Sequence, residues 1–131
     1  MEEAKRWNVE TRVHITGPAK EEEKHWYLSH CSAFAFPSIA EGFGLPVVEA
    51  MYYGKPLFLS SKTSLPEIGG SLATYFNDEF DPAGMQEEFS NGMYRYEATN
   101  LESKLKERAV QFSWETAAEK YWRIYKSLLE K

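Results

Sequence analysis

Apolar residues in this chain fall into short runs, separated by longer stretches in which they recur at helical spacing. Residues 1–10 are largely charged and read as a short helix. Arg12-Val13-His14-Ile15-Thr16 alternates and is rich in β-branched residues, so it reads as a strand, ended by Gly17-Pro18. Lys20 to Cys31 reads as a helix whose acidic start suits the positive end of the helix dipole, with Trp26, Tyr27 and His30 on one face. Ala33-Phe34-Ala35-Phe36, stopped by Pro37, reads as a buried strand. A glycine-containing loop, Ser38 to Leu45, leads into a helix with Pro46 at its first position and Gly54 just past its end.

Pro56-Leu57-Phe58-Leu59-Ser60 is a further strand, followed by a polar loop with Ser61, Ser64 and Pro66, then Gly69-Gly70. Leu72 to Phe76 reads as a last short strand. Asp81-Pro82 opens a helix with Met85, Phe89 and Met93 four residues apart. Asn100 and Ser113 stand at cap positions of two more helices. The last of these carries Trp114, Ala117, Ala118, Tyr121, Tyr125 and Leu128 as an apolar stripe. Strands alternating with helices imply an α/β fold, a Rossmann-like parallel sheet flanked by helices. Such sheets bind ligands at the carboxyl ends of their strands, which points to the loops Gly17–Lys20, Ser38–Leu45 and Ser61–Gly70.

Composition narrows the class. The chain has 131 residues, the size of one domain, and 43% hydrophobic content is enough for a core. A net charge of -5 argues against a nucleic-acid backbone as partner. Cys31 is the only cysteine, so no internal disulfide forms, which fits a reducing cytoplasm. The opening MEEAKRW lacks the apolar core of a signal peptide, and no apolar run is long enough to span a bilayer. His14, His25, His30 and Cys31 fit no common zinc spacing; His14 reads as a strand-face residue, and the other two histidines as lying on a half-exposed helix. The four tryptophans read as packing residues, the EEEK run as a solvated helix start, and Lys62 as solvated unless it approaches a phosphate.

The chemistry concentrates in FPSIAEGFGLPVVEAM, residues 36–51. Gly42 and Gly44 let the backbone approach a ligand. The first amides of the following helix lack intrahelical acceptors, and the dipole there favours an anion such as a phosphate. Pro46 removes one donor, leaving the amides of Phe43 to Leu45 and Val47 to Val48 as candidates. Glu41 in the loop and Glu49 one turn into the helix are acceptors suited to paired hydroxyls. Two carboxylates flanking an anion site make sense if one holds a sugar and the other a ribose, with a diphosphate between: the outline of a nucleotide sugar. Each feature also has a plainer reading, a dipole partner or an ordinary turn.

The segment resembles glycosyltransferase family 4, the retaining enzymes of the GT-B fold, whose Glu, seven residues, Glu motif stands here in Pro37, Ser38, Glu41, Gly42, Phe43, Gly44, Leu45, Pro46, Glu49 and Ala50. The likeness continues through Gly54-Lys55-Pro56, Ser64-Leu65-Pro66-Glu67-Ile68-Gly69-Gly70, Tyr75-Phe76 and Phe112-Ser113-Trp114-Glu115. It implies the carboxy-terminal half of a GT-B fold, truncated, with residues 1–131 as a partial donor-binding domain and the acceptor-facing amino-terminal domain absent. It implies Glu41 as the catalytic residue touching the transferred sugar, and Gly42, Phe43, Gly44 and Leu45 as holding sugar and diphosphate. Glu49 would bind the ribose, and Thr16 and Gly17 would lie near the base.

The partners implied are a nucleotide sugar and, through the missing domain, a saccharide or lipid acceptor. No cofactor or catalytic metal is expected. A cytoplasmic enzyme follows, peripheral at the inner membrane face in its full-length form. The family's two preceding strands, and an Arg and a Lys that neutralise the leaving diphosphate, lie upstream of any segment present here. The fragment is therefore expected to be inactive alone, and its unpaired sheet edge to favour a homodimer. Tyr52 replaces a small residue of the family, filling a core gap or narrowing the site. The alternatives are a nucleotide-sugar-binding module without activity, and an interaction domain that has lost its ligand.

Overall fold

The computed structural model describes residues 1–77, 79 and 81–130. Its helices and strands run α1 (Glu2–Arg6), α2 (Glu21–His30), β1 (Phe34–Phe36), α3 (Leu45–Tyr52), β2 (Leu57–Ser60), α4 (Leu65–Gly69), β3 (Thr74–Phe76), α5 (Pro82–Ala98), α6 (Leu101–Val110) and α7 (Trp114–Leu129). Short 3₁₀ turns lie at Glu10–Arg12 and Gly70–Leu72. The strands form one parallel sheet in the order β1-β2-β3, with Phe34 opposite Leu57 and Phe58 opposite Thr74. The expected Rossmann-like α/β architecture is therefore present.

β2 sits at the centre, and its alternation decides what packs where. Leu57 and Leu59 face a core built from Val47, Ala50 and Met51 of α3, Leu65 and Ile68 of α4, and Leu101, Leu105 and Ala109 of α6. Phe58 points the other way, against Phe76 of β3 (6.0 Å between ring centroids) and Phe89 of α5 (4.5 Å). Helices thus cover both faces of β2, as a parallel sheet requires. Leu28 brings α2 into the first face, whereas Trp26, Tyr27 and His30 group together as expected, Trp26 meeting Tyr27 at 5.4 Å and His30 at 4.6 Å between ring centroids, on the exposed side.

Several local devices set the helix ends. Gly54 adopts φ +68 just past Tyr53, the cap of α3, and a Cβ there would stand 2.5 Å from Glu102 Cγ, so both backbone and space require glycine. Tyr96 Oη donates to the Gly54 carbonyl at 2.6 Å. Asp81 caps α5 by accepting from the amides of Ala83 and Gly84, and Ser113 caps α7 by accepting from that of Thr116. Arg108 of α6 donates to the carbonyls of Glu67 and Ile68, tying α6 to the end of α4. That short helix was not anticipated; residues 61–70 read as loop.

The amino-terminal expectations are corrected. Arg12 to Thr16 forms no strand: Val13 and Ile15 are exposed, and His14 has no sheet face to occupy. Strand-forming residues without a neighbouring strand leave their amides and carbonyls unpaired, so propensity alone does not hold them extended in a sheet. Nor are the tryptophans core residues. Trp7, Trp26, Trp114 and Trp122 are all more than half exposed, and α7 buries none of its residues, so its apolar stripe faces outward. Among the described residues, no helix is long and apolar enough to cross a membrane.

Gly92 gives a test of the packing. It is buried in α5, and a Cβ there would lie 2.6 Å from Phe58 Cε1 and 2.5 Å from Thr74 Oγ1. Helix propensity favours Gly92→Ala by about 1 kcal/mol. The clash with β2 and β3 costs about 1–3 kcal/mol. Urea denaturation should therefore show net destabilisation; a gain in stability would place α5 off the sheet.

Candidate functional site

Pro37 ends β1, and the chain then turns through residues 38–44 into α3. Two neighbouring segments fix this loop. From the end of β2, Ser60 Oγ donates to the carbonyl of Ser38. From the turn after β2, Thr63 Oγ1 accepts from the Glu41 amide at 3.1 Å. Ser64 Oγ donates to the Phe43 carbonyl at 2.8 Å and reaches the Glu41 carbonyl at 3.3 Å. Within the loop, Ser38 Oγ donates to Glu41 Oε1 at 2.8 Å, orienting that carboxylate. Phe43 meets Phe112, beyond α6, edge to face at 5.9 Å.

Gly44 enters α3 at φ +101, and its missing Cβ leaves room for Leu65 Cδ2 at 3.0 Å. Only glycine meets both demands comfortably. Nothing lies within 4 Å of the position a Gly42 Cβ would take, so that backbone faces open space. Thr63, by contrast, is a β-branched residue at φ 51, a strained conformation that lets its hydroxyl meet the Glu41 amide.

The amides divide in a way the sequence did not reveal. Those of Val47 and Val48, counted as candidate anion donors, both donate to the Gly44 carbonyl, at 2.9 and 3.4 Å, because the first turn of α3 closes tightly. Among the described residues, the amides of Gly42, Phe43, Gly44 and Leu45 have no protein acceptor. The available donors therefore sit in the loop and at the first helical position.

Glu49 lies one turn into α3, with its side chain 25% exposed. Lys24 Nζ of α2 stands 2.7 Å from Glu49 Oε1 and 2.6 Å from Glu21 Oε1. The EEEK run is thus more than a solvated helix start: its lysine reaches the neighbouring helix. Hydrogen bonding to Glu21 first, and to Glu49 second, holds the Lys24 ammonium above the usual lysine range, while Lys24 holds the Glu21 carboxyl below its own. His25 approaches Glu21 at 3.4 Å through Nε2 and Tyr53 Oη at 3.1 Å through Nδ1. Glu49 also lines a cleft of about 230 Å³ with His25, Val48, Tyr52, Tyr53 and Ala109. Tyr52 is 66% exposed, so it fills no core gap and instead borders this cleft.

Thr16 and Gly17 are not drawn to the loop. Both are exposed, and the Thr16 hydroxyl donates to the Gly17 carbonyl at 3.3 Å. Lys62 lines a cleft of about 220 Å³ with Pro37, Ile39, Ser60, Asn77, Glu79 and Met85, at the carboxyl ends of the strands. Among the described residues, no three His, Cys, Asp or Glu side chains converge as metal ligands would. Thr63 and Lys24 were missed by sequence reasoning. Thr63 carried no signal, and Lys24 could have been found only by knowing how α2 crosses α3.

Comparison with known proteins gives a consistent picture. The family described as glycosyl transferases group 1 matches residues 1–111. The O-antigen chain mannosyltransferase B of Escherichia coli is 33% identical over 119 residues, covering 88% of this chain and 30% of that protein. The serotype-specific mannosyltransferase WbdA of Escherichia coli is 37% identical over 92 residues, covering 67% of this chain and 11% of that protein. A GDP-mannose:cellobiosyl-diphosphopolyprenol alpha-mannosyltransferase of Komagataeibacter xylinus is 26% identical over 130 residues, covering 97% and 33%. The chain thus spans about a third or less of the length of these relatives. No solved structure matches.

The clasp of the 38–44 loop is testable without a ligand. Ser64→Ala removes the hydroxyl that donates to Phe43 and approaches Glu41. It should cost about 1 kcal/mol of stability. Hydrogen exchange should accelerate at the Glu41 amide, which Thr63 holds, and at those of Val47 and Val48, which close on Gly44, beyond that global change, and unchanged local protection would show that Ser64 does not hold the loop.

Proposed function

The chain belongs to the glycosyl transferases group 1 family, and from that premise we propose that it is the donor-binding part of a retaining mannosyltransferase using a guanosine diphosphate sugar. The observation that carries this reading is the set of amides without a protein acceptor from Gly42 to Leu45, exposed at Gly42, Phe43 and Leu45 and flanked in sequence by two carboxylates with separate supports. The amides supply donors for the diphosphate, helped by the amino terminus of α3. Glu41, turned by Ser38, accepts hydroxyls of the transferred sugar. Glu49 accepts the two ribose hydroxyls. Mannose and guanosine enter because the relatives named above are mannosyltransferases and one is named for GDP-mannose.

In the reaction, the bond from the anomeric carbon to the diphosphate oxygen breaks, and an acceptor hydroxyl oxygen bonds to the same carbon while its proton passes to the departing diphosphate. Charge develops on the departing diphosphate, where preorganised donors count most. The loop amides are fixed by Ser60, Thr63 and Ser64 before donor arrives, so little reorganisation is needed. No metal is called for by this scheme. The acceptor, a saccharide or a lipid-linked saccharide, is assigned to the two thirds or more of the relatives' length outside the matched part. Transfer by these residues alone is accordingly not expected. Glu41 is the catalytic residue in this reading, and Thr16 and Gly17, exposed here, would reach the base only if the 12–17 segment packs against it.

Binding separates the two carboxylates. Titration of GDP into isotope-labelled chain should shift amides within residues 41–49, and UDP or ADP should do so more weakly. Glu49→Gln should weaken GDP about 10- to 100-fold, the loss of hydrogen bonds to a charged acceptor. Glu41→Gln should leave GDP unchanged and weaken GDP-mannose towards the affinity of GDP. Amides 41–49 that fail to respond to all three nucleotides would sink the reading, and equal effects of both variants on GDP would overturn the division of roles.

A further inference from the structure

Glu49 is a flexible side chain on the first turns of α3, and its orientation is set from outside that helix. Lys24 Nζ holds Glu49 Oε1 at 2.7 Å across 25 positions of sequence. α2 in turn is anchored by Leu28 in the core and by the contact of His25 with Tyr53 at 3.1 Å. We propose that Lys24 is a positioning residue for the ribose-binding carboxylate, holding Glu49 in the orientation that receives the two ribose hydroxyls. The proposal rests on the reading that Glu49 binds ribose.

Three features favour positioning over simple neutralisation. First, a carboxylate has about four acceptor sites on its two oxygens, so one lysine on Oε1 leaves capacity for two hydroxyls. Among the described residues, Oε2 has no protein partner. Second, Lys24 is shared with Glu21, so the trio keeps a net negative charge and Glu49 remains a strong acceptor. Third, Lys24 is only one-third exposed and Glu49 one-quarter, so the pair is held between helices rather than swinging in solvent. A glutamate already fixed in place loses less side-chain freedom on binding, and that saving appears as affinity. Lys24 touches no reacting atom; it acts through Glu49.

The test uses GDP and 2′,3′-dideoxy-GDP, which differs only in lacking the hydroxyls in question, against the chain of residues 1–131. Calorimetry is run on wild type, Lys24→Met, Lys24→Arg and Glu49→Gln, with circular dichroism confirming that each is folded. Wild type should prefer GDP by at least about tenfold. Lys24→Met should bring that ratio close to one while leaving dideoxy-GDP affinity unchanged. Lys24→Arg, which keeps a cationic donor, should retain most of the preference. A structural or long-range charge effect would instead weaken both nucleotides alike. If Glu49→Gln loses the preference while Lys24→Met keeps it, or weakens both nucleotides equally, the positioning role is overturned and the ribose reading stands. If wild type shows no preference, binds neither nucleotide, or keeps its preference in Glu49→Gln, the ribose reading itself fails and takes the proposal with it.

Discussion

Everything in this structure hangs on β2 being buried on both faces and paired on both edges. Leu57 to Ser60 lies between β1 and β3, and its side chains alternate between two helical layers. A parallel strand cannot reach its neighbours by a tight turn, so each connection has to cross a face of the sheet. The crossover from β1 to β2 is the glycine loop and α3; the crossover from β2 to β3 is the Thr63–Ser64 turn and α4. Both start at the same end of the sheet, side by side. The hydroxyls of Ser60, Thr63 and Ser64 therefore meet the backbone of residues 38–43 as a consequence of strand order. The site is a by-product of how the centre is connected.

The central elements were legible because two periodicities agreed there with punctuation. β1, α3, β2, β3, α5, α6 and α7 all lie within a few residues of where alternation, helical spacing, proline and glycine put them. Gly54 and Pro46 marked α3 correctly, although the helix begins one residue earlier, at Leu45. α4 escaped notice because five residues containing Pro66 and preceding two glycines look like a turn. Its helicity is sustained from elsewhere: Leu65 and Ile68 are buried, and Arg108 caps its carbonyls from 40 residues away. No local pattern encodes such a partner.

The failures at the two ends share one cause. Residues 12–16 carry the alternation of a strand and α7 carries the stripe of a packed helix, yet both present these faces outward. Pattern records which face would be buried; it does not supply the surface that buries it. A strand is incomplete without a neighbour's hydrogen bonds, so residues 13–16 remain irregular. A helix satisfies its own backbone, so α7 keeps its form with Trp114, Tyr121 and Leu128 exposed. The same missing contact thus abolishes one element and leaves the other intact.

That contrast bears on the candidate site. Glu41 and Glu49 belong to one motif in sequence, but they are stabilised by different parts of the fold. Glu41 depends on the loop itself, through Ser38, and on the crossover after β2. Glu49 depends on α2, through Lys24. The first set of contacts is intrinsic to the β1-β2-β3 core. The second passes through a helix whose preceding residues, including Thr16 and Gly17, have no sheet to join. The diphosphate-and-sugar end of the proposed site is set by the core, whereas its ribose end is set by packing onto α2. In that reading, the packing of α2 bears on the affinity for donor separately from the chemistry at the sugar.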